Sequence, residues 1–516
     1  MSSGKTSTLK KGQACTCCRR RKTRCDGARP VCTQCATNGR ELDCEYTDGF
    51  GPTRTEILQE YLARLQSRVQ VLETSHAQRA FPRTGQQSYP QLTVQPSSHW
   101  WTSEFPPVQV ARQLFEIFLR HEHQVGWALN NSRVSTAMSY GPSSPLFPHP
   151  ALVTAMFLWG VHFTQSASTS PEIEQALFVR ATTQLQTHQI AAHSLRRGLQ
   201  AVQAEILLAT YLFAVGGRPL ETDYHISAAV RLAVGFGMNR ISPEPGVDTI
   251  EEGERISVFW MVFHLDRSWA IANGKPAGLR LHGESRVIVT TPWPNAPEDY
   301  SQGPVSYSSD GNTEPLRKFL EDEGKATSGF SYPALAVKAA FLCERSSQYA
   351  ARPTSDEEIR HADSTIFGFV STLAPLDGSA SAVLKARFIS IHAIAYLAFI
   401  RLHERNAPND HGAYSRCVQA ARYIAMLPGH LTRGEISEME PCCMPCFVIS
   451  SKVLMREITR VRQLQGSAQS ADFTPVNVLV DELSRIMHCL TELAPIYPVI
   501  ESQLDSLEDM RSDLQI

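Results

Sequence analysis

Seven of the thirteen cysteines in this 516-residue chain lie between Cys15 and Cys44, and no other stretch limits the fold so tightly. Six of the seven read Cys15-x2-Cys18-x6-Cys25-x6-Cys32-x2-Cys35-x8-Cys44, a C-x2-C-then-C unit used twice. A C-x2-C pair in the first turn of a helix turns two thiolates to one side, and a third cysteine a few residues on can return to the same point. Each unit thus offers three ligands, whereas tetrahedral zinc takes four. Two zinc ions are satisfied by six thiolates only if two sulfurs bridge, which predicts two short helices related by a pseudo-two-fold around one binuclear cluster. Taking Cys17 instead of Cys18 breaks the repeat. A disulfide framework is the alternative, but it needs an oxidising compartment. The polar MSSGKTSTLKKGQ ahead of the motif gives no expectation of an apolar signal segment.

Between Cys18 and Cys25 stand Arg19, Arg20, Arg21, Lys22 and Arg24, with Thr23 the one uncharged residue. Residues 1–50 hold ten Lys/Arg and five Asp/Glu, while the whole chain is formally −2, so the other 466 residues carry −7. A basic head on a mildly acidic body is the asymmetry expected of a nucleic-acid binder. Two zinc ions with six thiolates add about −2, which leaves the head positive.

The Cys15–Cys44 segment resembles the fungal zinc binuclear cluster (zinc-cysteine-six) DNA-binding family. The resemblance rests on Ala14-Cys15, the run Arg19-Arg20-Arg21-Lys22-Thr23-Arg24-Cys25-Asp26, Arg29-Pro30 and Cys32-Thr33-Gln34-Cys35. It implies two zinc ions on Cys15, Cys18, Cys25, Cys32, Cys35 and Cys44, with Cys15 and Cys32 bridging. It also implies that Arg21 and Lys22 donate to guanine in CGG-type triplets of the major groove, with Arg19 and Arg24 on phosphates.

Behind the head, RTEILQEYLARLQSRVQVLETSHAQ spaces Leu58, Leu62, Leu65, Val69 and Leu72 at 4-3-4-3, a heptad seam that predicts a short dimerising coiled coil over 55–76. A single amphipathic helix on the protein's own body would show a wider stripe. The next stretch, rich in Pro, Ser and Gln, predicts a flexible linker over 77–108.

From 109 to 516 the pattern is helical, with helices predicted at 109–121, 150–167, 171–194, 199–216, 222–238, 251–273, 331–350, 356–374, 380–405, 412–426, 437–463 and 474–492. The segment 287–332 reads as a surface excursion, and the acidic end, 500–516, suits either a packed amphipathic helix, the reading preferred here, or a short activation segment that contacts coactivators. The longest uncharged apolar stretch, Phe388–Ile400, falls short of the ~20 residues that span a bilayer. Three segments resemble the fungal-specific transcription-factor domain: Gln203-Ala204 through Leu207-Leu208, Ala229 through Arg240, and Arg255, Phe259-Trp260, Asp266-Arg267 and Gly274-Lys275-Pro276. Other motifs read as structural. Gly235 and Gly237 suit a helix end, Asp266 and Arg267 a structural ion pair, and Cys442, Cys443 and Cys446 buried thiols. His121-Glu122-His123 lacks metalloprotease spacing.

The expected fold is mostly α: a basic tail (1–13), a small zinc binuclear cluster domain (14–47), a connector (48–54), a short coiled coil (55–76), a flexible linker (77–108) and a large all-α regulatory domain (109–516). The expected function is a nuclear, zinc-dependent transcription factor that binds double-stranded DNA as a homodimer. It is read as no enzyme and no membrane protein, with coregulators and a small-molecule effector as further candidate partners. An enzymatic body, or a metal or redox sensor without DNA, are the competing classes. No nucleophile, base and orienter set supports the first.

Overall fold

The structure is a computed structural model that describes residues 13–28, 31–40, 43–44, 46, 99–164, 171–187, 195–243, 247–284, 286–301, 314–325, 327–376, 378–464 and 474–515. It divides into two compact units, 1–87 and 88–516. Among the described residues every regular element is helical. The coiled-coil seam from Leu58 to Leu72 lies outside the described residues.

In the first unit, α1 (Thr16–Arg21) and α2 (Thr33–Thr37) are built alike. Each starts on a cysteine whose sulfur caps the helix: Cys15 accepts from the Cys18 N–H at 3.3 Å, and Cys32 from the Cys35 N–H at 3.4 Å. The core of this unit consists of cysteines, with Cys15 and Cys32 wholly inaccessible. So short a segment has almost no hydrocarbon to bury, so its stability must come from elsewhere.

The second unit is a helical body built from α3 (Val108–His121), α4 (Asn131–Met138), α5 (Pro150–His162), α6 (Pro171–Thr187), α7 (Leu195–Val215), α8 (Pro219–Gly235) and α9 (Thr249–Asn273). It continues through α10 (Pro315–Glu321), α11 (Tyr332–Ala351), α12 (Asp356–Thr372), α13 (Ala382–His403), α14 (His411–Met426), α15 (Arg433–Ile436), α16 (Met444–Leu464), α17 (Val476–Leu493) and α18 (Val499–Asp513). Neighbours in sequence pack as pairs (α5 on α6, α7 on α8, α13 on α14), while α9 on α11 and α11 on α13 join the two halves into one core.

α7 is buried nearly all round, as a core helix is. From Gly198 to Ala214 every residue of α7 is buried, so its polar side chains need partners. Gln203 accepts from the Ala128 N–H and donates to the Gly126 carbonyl, both at 3.0 Å, and Gln200 accepts from the His149 N–H at 2.8 Å. Close approach sets other positions: a Cβ on Gly160 would lie 2.4 Å from the Leu114 carbonyl oxygen, so α3 crosses α5 only over a glycine. By length and composition α7 and α13 are apolar enough to cross a membrane, a point the uncharged-stretch criterion misses. Both are largely buried within the body, at 94% and 67% of their most apolar windows.

The structure corrects two expectations of surface chain. The described end of the linker predicted to Val108 is docked by its rings: Trp100 is buried, and Phe105 meets Phe147 and Phe157 edge-on, while 102–104 stay exposed. The 287–332 excursion is anchored by aromatics, with Trp260 donating to the Pro292 carbonyl at 2.6 Å and stacking on Trp293 at 4.8 Å. Within it, α10 buries Leu316 and Phe319. In each case a few large rings outweigh a polar, proline-rich composition. The acidic end packs as α18, burying Ile500, Leu504 and Leu507 at helical spacing.

Candidate metal centre and nucleic-acid interface

The two half-motifs meet through their thiols. Cys15 lies 3.8 Å from both Cys32 and Cys35, and Cys18 lies 3.7 and 3.9 Å from the same pair. Four thiolates about 2.3 Å from a zinc ion stand about 3.8 Å apart, so these separations fit a tetrahedral sulfur site. The remaining two ligands flank it. Cys25, with Asp26 and Cys32, forms a second group whose ligand atoms lie within 4.8 Å of one another. Cys44 accepts from the Cys32 N–H at 3.2 Å, and its thiol neighbours those of Cys15 and Cys32. All six predicted ligands therefore converge, and Cys32 touches both groups. Cys17 is buried on α1 but belongs to neither group.

The thiols are not alike electrostatically. Burial pushes Cys15 up to about 11 and Cys18 up to about 12, and burial with neighbouring thiols raises Cys35 further. At Cys32 the effect of burial is outweighed by the Cys35 N–H and surrounding thiols, which bring it down to about 7. Zinc takes these sulfurs as thiolates, so the thiols that burial raises surrender protons to the metal.

Asp26 and Tyr46 complete the frame. Asp26 accepts from the Thr33 N–H at 3.2 Å and from its hydroxyl, tying the end of the first half to the start of α2, and these bonds hold its carboxyl below the usual range. The Tyr46 hydroxyl donates to the Ala28 carbonyl at 2.8 Å and lies 3.8 Å from the Cys25 sulfur. In the sequence the only hint is position: Asp follows the third cysteine of the repeat, Thr the fourth.

The predicted nucleic-acid residues are all exposed. Arg19, Arg20 and Arg21 form the last turn of α1, where cations suit the helix dipole. The cationic run does not continue as helix through Arg24. Lys22 adopts the left-handed conformation (φ 55°), and the Thr23 N–H returns to the Cys18 carbonyl at 3.0 Å. The physical reason is the third ligand: a helix continued to Cys25 would carry it past the cluster, so the chain must reverse after Arg21. Arg19 donates to the Ala14 carbonyl at 3.0 Å, while Arg21, Lys22 and Arg24 face solvent around the reversal.

The motifs weighed in the body have structural surroundings. Asp266 accepts from the Gly278 and Leu279 N–H groups at 2.7 and 2.9 Å and from Arg267 at 2.6 Å, while Arg267 donates to the Leu279 carbonyl and lies over Phe263. The pair clasps the chain after Gly274 onto α9. Gly235 ends α8 and Gly237 (φ 70°) turns the chain. His121 stacks on Phe163, and His123 pairs with Glu438. Cys443 and Cys446 are buried, and burial holds both thiols far above the usual range.

Two family models match. Residues 13–51 match the fungal Zn(2)-Cys(6) binuclear cluster domain and residues 121–303 the fungal specific transcription factor domain. A notoamide biosynthesis cluster transcriptional coactivator of Aspergillus versicolor is 25% identical over 50% of this chain and 52% of its own. The transcription factor FBD3 of Gibberella moniliformis is 42% identical over 12% of this chain and 8% of its own. A citrinin biosynthesis transcriptional activator of Monascus purpureus is 24% identical over 83% of this chain and 84% of its own. The chain thus spans about half the length of the first of these relatives and under a tenth of the second.

Proposed function

We propose that this chain, a fungal zinc binuclear cluster protein with a fungal specific transcription factor domain, is a sequence-specific regulator of RNA polymerase II transcription acting in the nucleus. A cluster domain of this kind binds two zinc ions. The ligands are Cys15, Cys18, Cys25, Cys32, Cys35 and Cys44, with Cys15 and Cys32 shared. One observation carries the reading: the exposed Arg21, Lys22 and Arg24 sit on a reversal whose position is dictated by the thiol cluster, so metal binding and presentation of cations are one event. Arg21 and Lys22 read CGG-type triplets, and Arg19 and Arg24 hold phosphates. The chain acts as a homodimer through Leu58, Leu62, Leu65, Val69 and Leu72, engages coregulators and has no catalytic role.

The relative matched over most of its length activates citrinin biosynthesis by its name, which favours a biosynthetic gene set as the target here. Selection of bound sequences from random duplex DNA, with the full chain before and after chelation, tests the reading. Paired CGG-type triplets are expected with zinc and no enrichment without it. Equal enrichment of unrelated sequences would overturn it. A second reading, that the body also receives a small-molecule effector, is favoured by a large cavity among its helices.

A further inference from the structure

A cavity of about 730 Å³ opens where the ends of α7, α9 and α13 meet α14, α16 and α18. That is the size of a small-molecule pocket. Its walls are apolar and aromatic, with Phe213, Trp269, Val448 and Ile500 among them. Phe213 and Trp269 meet edge-on at 5.5 Å. The turn Gly216-Gly217 forms part of the rim, both glycines having positive φ, and a Cβ on Gly216 would come within 2.8 Å of Val499, so this rim lets α18 close one side.

The charged groups on the wall are unbalanced. Four cations (Arg218, Arg401, Lys452 and Arg456) face a single carboxylate, Glu404. Arg218 is held by Glu221 and lies over Phe178. Arg401 pairs with Glu404 and donates to the Ile271 carbonyl, while its Nε is buried with no hydrogen-bond partner. Lys452 and Arg456, one turn apart on α16, form no ion pair among the described residues. Two adjacent cations, Lys452 half-buried and Arg456 exposed, that pair with no carboxylate among the described residues and stand at the edge of an apolar chamber call for a ligand with one anionic end and a hydrocarbon body.

We propose that this cavity binds an amphipathic organic acid, its carboxylate held by Lys452 and Arg456 and its apolar body lying between Trp269, Val448 and Ile500. The inference rests on the effector-receptor reading and gives that receptor a ligand class. Such an occupant would touch α7 and α9 on one side and α13, α16 and α18 on the other. It would therefore favour whichever arrangement of these helices holds the walls together.

The test uses the full chain and three probes with a ten-carbon chain, decanoate, decanol and decyltrimethylammonium, with 2-naphthoate as an aromatic acid, followed by calorimetric titration and thermal unfolding. One acid per chain is expected to bind saturably and raise the melting temperature, with decanol at least about tenfold weaker and the cation weaker still. The surface variant Lys452→Gln/Arg456→Gln is expected to bring the affinity for decanoate down to that for decanol. Val448→Trp, which puts an indole into the space assigned to the apolar body, is expected to weaken binding of both. Equal binding of acid, alcohol and cation, undiminished binding by the double variant, or no binding of either acid at about 1 mM would each overturn the proposal. Selective DNA binding, measured on the same samples, reports on the regulator reading separately.

Discussion

Cys17 and Cys18 are adjacent and both buried, yet only Cys18 joins the thiol group with Cys15, Cys32 and Cys35. Cys17→Ser should keep two zinc ions per chain by native mass spectrometry, and Cys18→Ser should not. Protons compete with zinc here. Thiols that burial holds up to about 11 and about 12 must be stripped for metal to enter, so zinc affinity should rise with pH. Because each ion displaces more than one proton, retention measured against a competing chelator should fall by more than about tenfold per unit as the solution is acidified. At the DNA surface, Lys22→Ala should cost ~1–3 kcal/mol on the selected site and little on random duplex, whereas Arg19→Ala should weaken both alike. Equal losses on both DNAs for Lys22→Ala would make it a phosphate contact.

Among elements, α9 carries a buried ion pair that ties it to the chain that follows. Arg267 is wholly buried, and Asp266 both neutralises it and holds the Gly278 and Leu279 N–H groups. Asp266→Ala strands that cation, so a loss of about 3–5 kcal/mol is expected in urea unfolding. Thermal unfolding unchanged within about a degree would mean that the clasp contributes nothing. Most helices of the body were legible in their apolar period, whereas at α18 the spacing of Ile500, Leu504 and Leu507 suited an acidic activation segment as well as the packed helix observed. Three short ones were not. Asn130 ahead of α4, Pro315 in α10 and the Thr432–Glu435 box at α15 carried only end signals, with too few turns for a period to register. At α16 the predicted start at 437 fell early because 437–443 form turns, with a 3-10 segment at Pro441–Cys443.

For the whole molecule, six spaced cysteines made the metal centre readable from local sequence, whereas the cavity was invisible because helices far apart in the chain supply its walls. The head and coil are proposed to form a self-sufficient reading unit. A fragment of residues 1–80 should therefore bind a paired CGG site as a dimer in sedimentation and gel-shift measurements. In the proposed coil Leu65→Asp/Val69→Asp would set like charges at facing positions, so it should reduce the fragment to single-triplet binding with a shallower salt dependence and the same zinc content. Unchanged dimeric binding would place dimerisation elsewhere. The interlocking of the thiols also has a consequence for biosynthesis. Cys15 and Cys18 find their sulfur neighbours on α2, so during translation the first half has no complete coordination sphere until Cys32 and Cys35 have left the ribosome. A nascent chain stalled before that point should stay open to thiol-modifying reagents even with zinc present, and one stalled well beyond Cys44 should be protected.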